Sequence, residues 1–365
     1  MIGQDLSRYH RQTLLPGFGE SGQRKLLDST VLLLGCGALG SIAADMLARA
    51  GVGHLVIIDR DFVELTNLQR QVLFDEQDVI DSIPKAEAAK RKLAKINSGI
   101  KVTAIVDDIN HTNIERYARG ADILVDGLDN FETRYLANDL AVKKGMPYVY
   151  GAAVGTTGMA FAVLPHAGGN GAWEKIDVAS LATPCLRCLF EEPPSPGTSP
   201  TCDTVGVLSS AVAIIANLQV AETLKILTGH FDRVSRTLFN IDLWANEFLQ
   251  LKVSSAYEKG NCSCCKQRQF EYLDGKAGSS AASLCGRNAV QLRQKQDARK
   301  FDMSAVATRL RGHGPVSINE FMLRVTIRDS DKDYEVTLFP DGRAIVKGTD
   351  EPTVARSVFA KYVGA

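Results

Sequence analysis

The stretch from Val31 to Gln71 constrains the chain more than any other. It opens on an apolar run, Val31-Leu32-Leu33-Leu34, followed at once by Gly35-Cys36-Gly37-Ala38-Leu39-Gly40. A second apolar run, His54-Leu55-Val56-Ile57-Ile58, ends on Asp59. Short apolar runs on either side of a glycine turn read as strand, turn, helix and strand, the unit from which a sheet with helices on both faces is built. Gly35, Gly37 and Ala38 would bring backbone N–H groups against a phosphate at the helix N-terminus, and Gly40 would let that helix lie close to the sheet. Asp59 is placed to bind a ribose hydroxyl.

The glycine pattern alone suits NAD or FAD as well as any other nucleotide. The residues directly after the second strand are more selective: Asp61, Asn67, Arg70 and Gln71. A dinucleotide enzyme needs one acid there and little else polar, whereas an arginine fork suits a polyphosphate. Further on, Pro84 fits the first turn of a helix running to about Asn97. Lys85 then sits at a helix N-terminus, where a cation is disfavoured unless an anion lies nearby. Ala121 to Asp126 reads as a fourth strand after Lys101 to Val106, and Asp129-Asn130 comes just beyond it. That loop lies at the carboxyl end of a parallel strand, where open sheets bind ligands. Asp129 suits Mg²⁺, and Asn130 caps the next helix, which contains Arg134.

Pro147 to Gly151 and Met159 to Leu164 continue the sheet, with the later strands antiparallel. The expected fold is a Rossmann-like, doubly wound, mostly parallel α/β sheet with an antiparallel extension. Two Cys-x-x-Cys pairs, Cys185/Cys188 and Cys262/Cys265, make a four-thiolate Zn²⁺ site. Cys264 lies inside the second pair and competes with Cys265 as ligand. A redox Cys-x-x-Cys is the alternative, but no strand–motif–helix context accompanies it. The proline-rich run Glu191 to Pro200 reads as an exposed crossover loop. Cys202 comes next, just before a long apolar helix from Ser209 to Thr228 that should be buried, in part against a partner protomer.

These motifs together resemble the adenylation domain of the E1-like (ubiquitin-activating-enzyme-like) proteins, in the bacterial ThiF/MoeB branch, from about Arg8 to Lys266. The resemblance implies ATP-dependent activation of a small ubiquitin-like sulfur carrier, ThiS-like or MoaD-like, at its C-terminal Gly-Gly. The pathway would be that of thiamine thiazole or molybdopterin. It implies ATP as substrate, Mg²⁺ on Asp129 and Zn²⁺ on Cys185, Cys188, Cys262 and Cys265. Arg11, in Arg8-Tyr9-His10-Arg11-Gln12, would reach the ATP site of the other protomer in a homodimer. Arg70 and Lys85 would contact the phosphates, and Cys202 would capture the activated carrier. A sulfurtransferase is a further expected partner. The rivals are a tRNA threonylcarbamoyladenosine dehydratase-like relative, an NAD-dependent oxidoreductase and a scaffold that has lost turnover.

Composition narrows these rivals. Lys+Arg and Asp+Glu both number 42, which leaves no broad electrostatic case for nucleic acid or a membrane surface. The N-terminus lacks the charged and apolar regions of a signal peptide, and eight cysteines without one argue for metal or catalysis in the cytoplasm. The 365 residues suit two domains, expected as 1–266 and a small α+β domain over 267–365. In the latter, 270–274 and 289–292 read as short strands, 321–328, 334–339 and 343–347 as longer ones, and 303–311 and 353–362 as helices. A fused carrier lacks its diglycine, since the chain ends Tyr362-Val363-Gly364-Ala365, and Cys285-Gly286-Arg287 is too short a match for a rhodanese loop. A carrier-docking or dimer-supporting module remains.

Overall fold

The computed structural model describes residues 6–166, 181–192, 205–277, 283–284, 288–293, 303–329, 332–340 and 342–363. They form two compact units, the described residues up to 277 in the first and those from 283 to 363 in the second.

The first unit is built on one eight-stranded sheet. Its strands are β1 (Thr30–Leu34), β2 (His54–Ile58), β3 (Lys101–Ile105), β4 (Ile123–Asp126), β5 (Tyr148–Val154), β6 (Thr157–Val163), β7 (Thr237–Asp242) and β8 (Glu247–Lys252). Their spatial order is β3-β2-β1-β4-β5-β6-β7-β8. β1 to β5 run parallel, and β6 to β8 add an antiparallel extension. The apolar runs explain the layers. Side chains alternate between sheet faces, so Val31, Leu33, Leu55, Ile57, Ile123 and Val125 enter one core, and Leu32, Leu34, Val56, Ile58 and Leu124 enter the other. The Ala38–Ala50 and Lys85–Ile96 helices supply the first core, and the Phe131–Lys144 helix supplies the second.

The Ser209–Thr228 helix is apolar enough and long enough to cross a membrane, but 61% of its most apolar window is buried in this unit. It packs on the Ala38–Ala50 helix through Leu39, Ile42, Val212, Ile215 and Ala216, leaving Ile214 and Leu218 half-buried. It ends, as its sequence implies, at Gly229 in the left-handed conformation. Gln219, fully buried, ties it to the sheet by donating to the carbonyls of Asp126 at 2.8 Å and Val149 at 3.2 Å.

The expected strand over 270–274 is instead a turn belonging to the first unit. The Asp139 carboxylate accepts the backbone N–H groups of Tyr272 and Leu273, which a strand would have given to a ladder partner. Residues 267–277 therefore fold with the first unit, past the expected boundary at 266.

The second unit is a six-stranded antiparallel sheet in the order β11-β12-β13-β14-β10-β9. Its strands are β9 (Ser283–Leu284), β10 (Ala289–Arg293), β11 (Val316–Ile318), β12 (Leu323–Asp329), β13 (Lys332–Leu338) and β14 (Arg343–Lys347). Alternate residues, Leu323, Val325 and Ile327 with Val336, Leu338 and Val346, form a core with the Met303–Leu310 and Pro352–Tyr362 helices.

The first unit depends on a close backbone approach at the top of β1. A Cβ on Gly40 would lie 2.1 Å from the Gly35 carbonyl oxygen, and one on Gly127 would lie 2.3 Å from it. Gly40→Ala should therefore destabilise the protein by about 3 kcal/mol, the range of an overpacked core. Denaturant unfolding measures this, and a variant as stable as the parent would contradict the close approach.

Candidate active site

The carboxyl ends of β1, β2 and β4 converge where the strand order reverses, the place at which doubly wound sheets bind ligands. From β1 the chain turns through Gly35 at φ +86° into the Ala38–Ala50 helix, with Gly37 as its N-cap residue. Gly37 carries no capping side chain, so the first N–H groups of that helix have no side-chain acceptor. A Cβ on Gly37 would meet nothing nearer than 3.9 Å, which leaves room above this helix end, in contrast to Gly35 and Gly40.

Asp59 binds the turn to the end of β2. Its carboxylate accepts the Cys36 N–H and the Asp61 N–H, both at 2.7 Å. Burial raises the Asp59 carboxyl, Lys85 pulls it back and Asp61 pushes it up, with a net upward shift. Each carboxylate oxygen retains a second lone pair for a ribose hydroxyl.

Lys85 opens the Lys85–Ile96 helix, and its side chain is only 3% exposed. Its Nζ donates to Asp61 Oδ2 at 3.2 Å, and its N–H donates to the Asp61 carbonyl at 2.8 Å. The anion that its position implied is thus, in this structure, the Asp61 carboxylate. Asn67 is buried and accepts the Glu64 N–H through Oδ1, which holds the loop after β2. Arg70 donates to the Thr66 carbonyl at 2.9 Å and stays half-buried. Gln71 is 4% exposed, and its amide nitrogen and the Gly127 carbonyl oxygen are the atoms nearest the open side of Gly37, each 3.9 Å from where a Cβ would stand.

Across the cleft, Gly127 comes directly after β4, and Asp129 stands exposed at the tip of the loop. Asn130 caps the Phe131–Lys144 helix through Oδ1, which accepts the Thr133 N–H at 2.9 Å, and its amide donates to Asp129 at 3.2 Å. The loop is held from beneath by a buried pair not singled out from the sequence. Asp126 accepts Arg134 Nε at 3.2 Å, the Tyr148 hydroxyl at 2.6 Å and the Leu128 N–H at 2.8 Å. Arg134 also donates to the carbonyls of Leu128 and Gly151. Burial raises the Asp126 carboxyl against the pull of Arg134. An acid closing an apolar strand, with an arginine in the first turn of the next helix, was the available signal.

Arg11 does not join this site. Tyr9 packs on Gly51, and its hydroxyl accepts from Asn97, so the segment sits at the C-terminal ends of the two helices whose N-termini face the cleft. At 1.5 Å per residue the Lys85–Ile96 helix is about 18 Å long, which keeps the exposed Arg11 away from Lys85 of its own chain. Cys202 lies outside the described residues.

Two turns along the helix that Asn130 caps, four sulfurs come together. Cys185 lies 3.8 Å from Cys188 and 3.6 Å from Cys262, and Cys188 lies 3.3 Å from Cys265, with all four within 4.8 Å of one another. A tetrahedral zinc ion about 2.3 Å from each thiolate spaces them about 3.8 Å apart, so the cluster fits Zn²⁺. Cys265 belongs to this group of four, while Cys264 accepts the Asn138 amide at 3.4 Å. Phe190, just past Cys188, packs on Phe131 and Tyr150 and so links the cluster to the Asp129 loop.

Three likenesses bear on this arrangement. Over 358 residues the chain is 42% identical to the sulfur carrier protein ThiS adenylyltransferase of Bacillus subtilis, spanning 98% of this chain and 99% of that protein. Over 276 residues it is 38% identical to a sulfur carrier protein adenylyltransferase of Thermus thermophilus, spanning 75% and 96%. Among solved structures, Escherichia coli MccB with ATP superposes with a TM-score of 0.55 at 25% identity, over 72% of this chain and 75% of that one. The ThiF family model matches residues 9–264, which contain the glycine turn, the Asp59–Lys85 cradle, the Asp129 loop and the first three cysteines of the cluster, and the chain belongs to the ThiF family.

Proposed function

We propose that this protein is an ATP-dependent adenylyltransferase that activates the C-terminal glycine carboxylate of a small ubiquitin-like sulfur carrier. The observation that carries the reading is the open helix N-terminus at Gly37, flanked by Asp59 and Lys85 on one side and the Asp129 loop on the other. The carrier is ThiS-like, for thiamine thiazole formation. The Bacillus subtilis ThiS adenylyltransferase supports this, because its match extends through both units, whereas the Thermus thermophilus match spans 75% of the chain. The second unit would then dock the carrier or support a dimer.

The reaction joins a carrier carboxylate oxygen to the α-phosphorus of ATP. The bond to the bridging oxygen breaks, and its electron pair leaves with pyrophosphate. A carboxylate is already a nucleophile, so no general base is required. What the protein must supply is alignment and stabilisation of the charge that gathers on the leaving group. The backbone N–H of Ala38, at the helix start that follows the Gly35–Gly37 turn, faces the phosphates, with Gly40 letting the helix approach. Asp59 takes the ribose, and Asn67 and Gln71 line the nucleotide. Lys85 and Arg70 neutralise phosphate charge, and Arg11 of a second copy in a homodimer completes the set. Asp129, oriented by Asn130, would hold Mg²⁺, which supplies charge neutralisation on the triphosphate. Cys185, Cys188, Cys262 and Cys265 would hold a structural Zn²⁺, since four thiolates leave no open position. Cys202 would take the acyl group from the adenylate, releasing AMP, before a sulfurtransferase delivers sulfur. The ATP demand and a cysteine-rich sequence read as metal-binding support a cytoplasmic setting.

ATP–pyrophosphate exchange tests the reading. It should require a carrier ending in Gly-Gly, vanish with a carrier lacking those residues, and fall at least about 100-fold in Asp129→Ala, as when one charge-stabilising group is removed. Carrier-independent exchange, or full exchange in that variant, would overturn it. Purified Cys265→Ser should lose bound zinc, whereas Cys264→Ser should retain it. The reverse pattern of metal content would show that the wrong cysteine has been placed in the cluster.

A further inference from the structure

The triplet Asp59-Arg60-Asp61 sets an arginine between two acids of the cradle, and the adenylation chemistry assigns that arginine no part. In the structure four charged groups of alternating sign stand in a row. Arg60 donates to Asp108 Oδ1 at 2.7 Å, its Nε lies 3.8 Å from Asp61 Oδ1, and the other oxygen of Asp61 accepts Lys85 Nζ at 3.2 Å. None is a freely solvated surface pair. The side chains of Arg60, Asp61 and Asp108 are 23%, 17% and 18% exposed, and that of Lys85 is 3% exposed. Charges so placed interact more strongly than exposed ones.

This geometry creates a competition. Lys85 sits at a helix N-terminus and away from water, both unfavourable for an ammonium group, and Asp61 offsets both. The carboxylate that keeps Lys85 in place therefore competes with an incoming phosphate for it. If Asp61 had Lys85 as its sole cation, moving the lysine to a phosphate would leave two neighbouring carboxylates, Asp59 and Asp61, beside a polyanion. An arginine fork can span two carboxylates at once, and Asp108 fixes the far side of this one.

We infer that Arg60 is a positioning residue for adenylation: by sharing Asp61 with Lys85, it lets Lys85 pass to the ATP phosphates while Asp61 stays paired. The inference rests on the reading that ATP phosphates occupy the cradle and draw on Lys85. Arg60 itself does not touch the nucleotide.

The test is calorimetric binding of Mg·ATP, alongside ATP–pyrophosphate exchange, for the full-length parent, Arg60→Met, Asp61→Asn and the double variant. Arg60→Met should bind ATP about tenfold more weakly, the worth of one partly buried ion pair, with KM for ATP rising by a similar factor and kcat changing less. Asp61→Asn should bind ATP at least as tightly as the parent, and in that background Arg60→Met should have no further effect. Arg60→Lys keeps the charge but cannot span both carboxylates, so it should fall between parent and Arg60→Met; it carries the comparison if heat unfolding shows that Arg60→Met does not fold. Arg60 variants indistinguishable from the parent would overturn the inference. So would an undiminished Arg60 effect in the Asp61→Asn background, or loss of ATP binding in Asp61→Asn alone. A parent protein that binds no ATP would instead sink the adenylation reading itself.

Discussion

Three backbone segments meet at the top of the first unit with no side chain between them. The Gly35 carbonyl lies where a Cβ on either Gly40 or Gly127 would stand, at 2.1 and 2.3 Å. This contact brings the end of β1, the first turn of the Ala38–Ala50 helix and the loop after β4 into register. It sets the helix N-terminus beside the Asp129 loop, so one ligand can touch both. Gly37, one step away, has no such neighbour, and the open space above it is where a phosphate fits. Tight packing below and free space above are two consequences of one glycine-rich turn.

Around that contact the protein arranges charge in pairs that are shielded from water but not lost to it. Asp126 and Arg134 are both buried, and each is satisfied by further hydrogen bonds, including those of Tyr148 and the Leu128 and Gly151 carbonyls. Such a pair contributes little net stability against an apolar core, but it holds the loop bearing Asp129 in one place. On the other side, Lys85 and Arg60 divide Asp61 between them. A fixed Asp129 loop and a lysine whose carboxylate partner has a second cation suit the charge-stabilised phosphoryl reaction proposed for the site.

The fold was legible because its signals are local. Apolar runs ending in glycine or aspartate mark parallel strands, and Gly229 and Asn130 mark helix ends by their own backbone needs. The candidate site residues Gly35, Gly37, Asp59 and Lys85 could be picked out for the same reason, since they lie within a residue or so of strand or helix ends. What escaped were long-range pairings. Gln219 on the β4 and β5 carbonyls and Arg60 on Asp108 join positions that no helix or strand period relates. The 270–274 segment was misread because its apolar character serves a turn pinned by Asp139, a partner more than a hundred residues away. Between Cys264 and Cys265 the sequence alone left the choice to the family resemblance, and in the structure it is Cys265 that joins the other three sulfurs.

The most direct measurement is a crystal structure of the protein with ATP and Mg²⁺. The account predicts the phosphates above Gly37, the ribose against Asp59, and Lys85 Nζ shifted from Asp61 onto a phosphate oxygen while Arg60 keeps its place on Asp61. Nucleotide bound away from the Gly37 turn, or a triphosphate in the cleft with Lys85 still held by Asp61 and out of its reach, would contradict it.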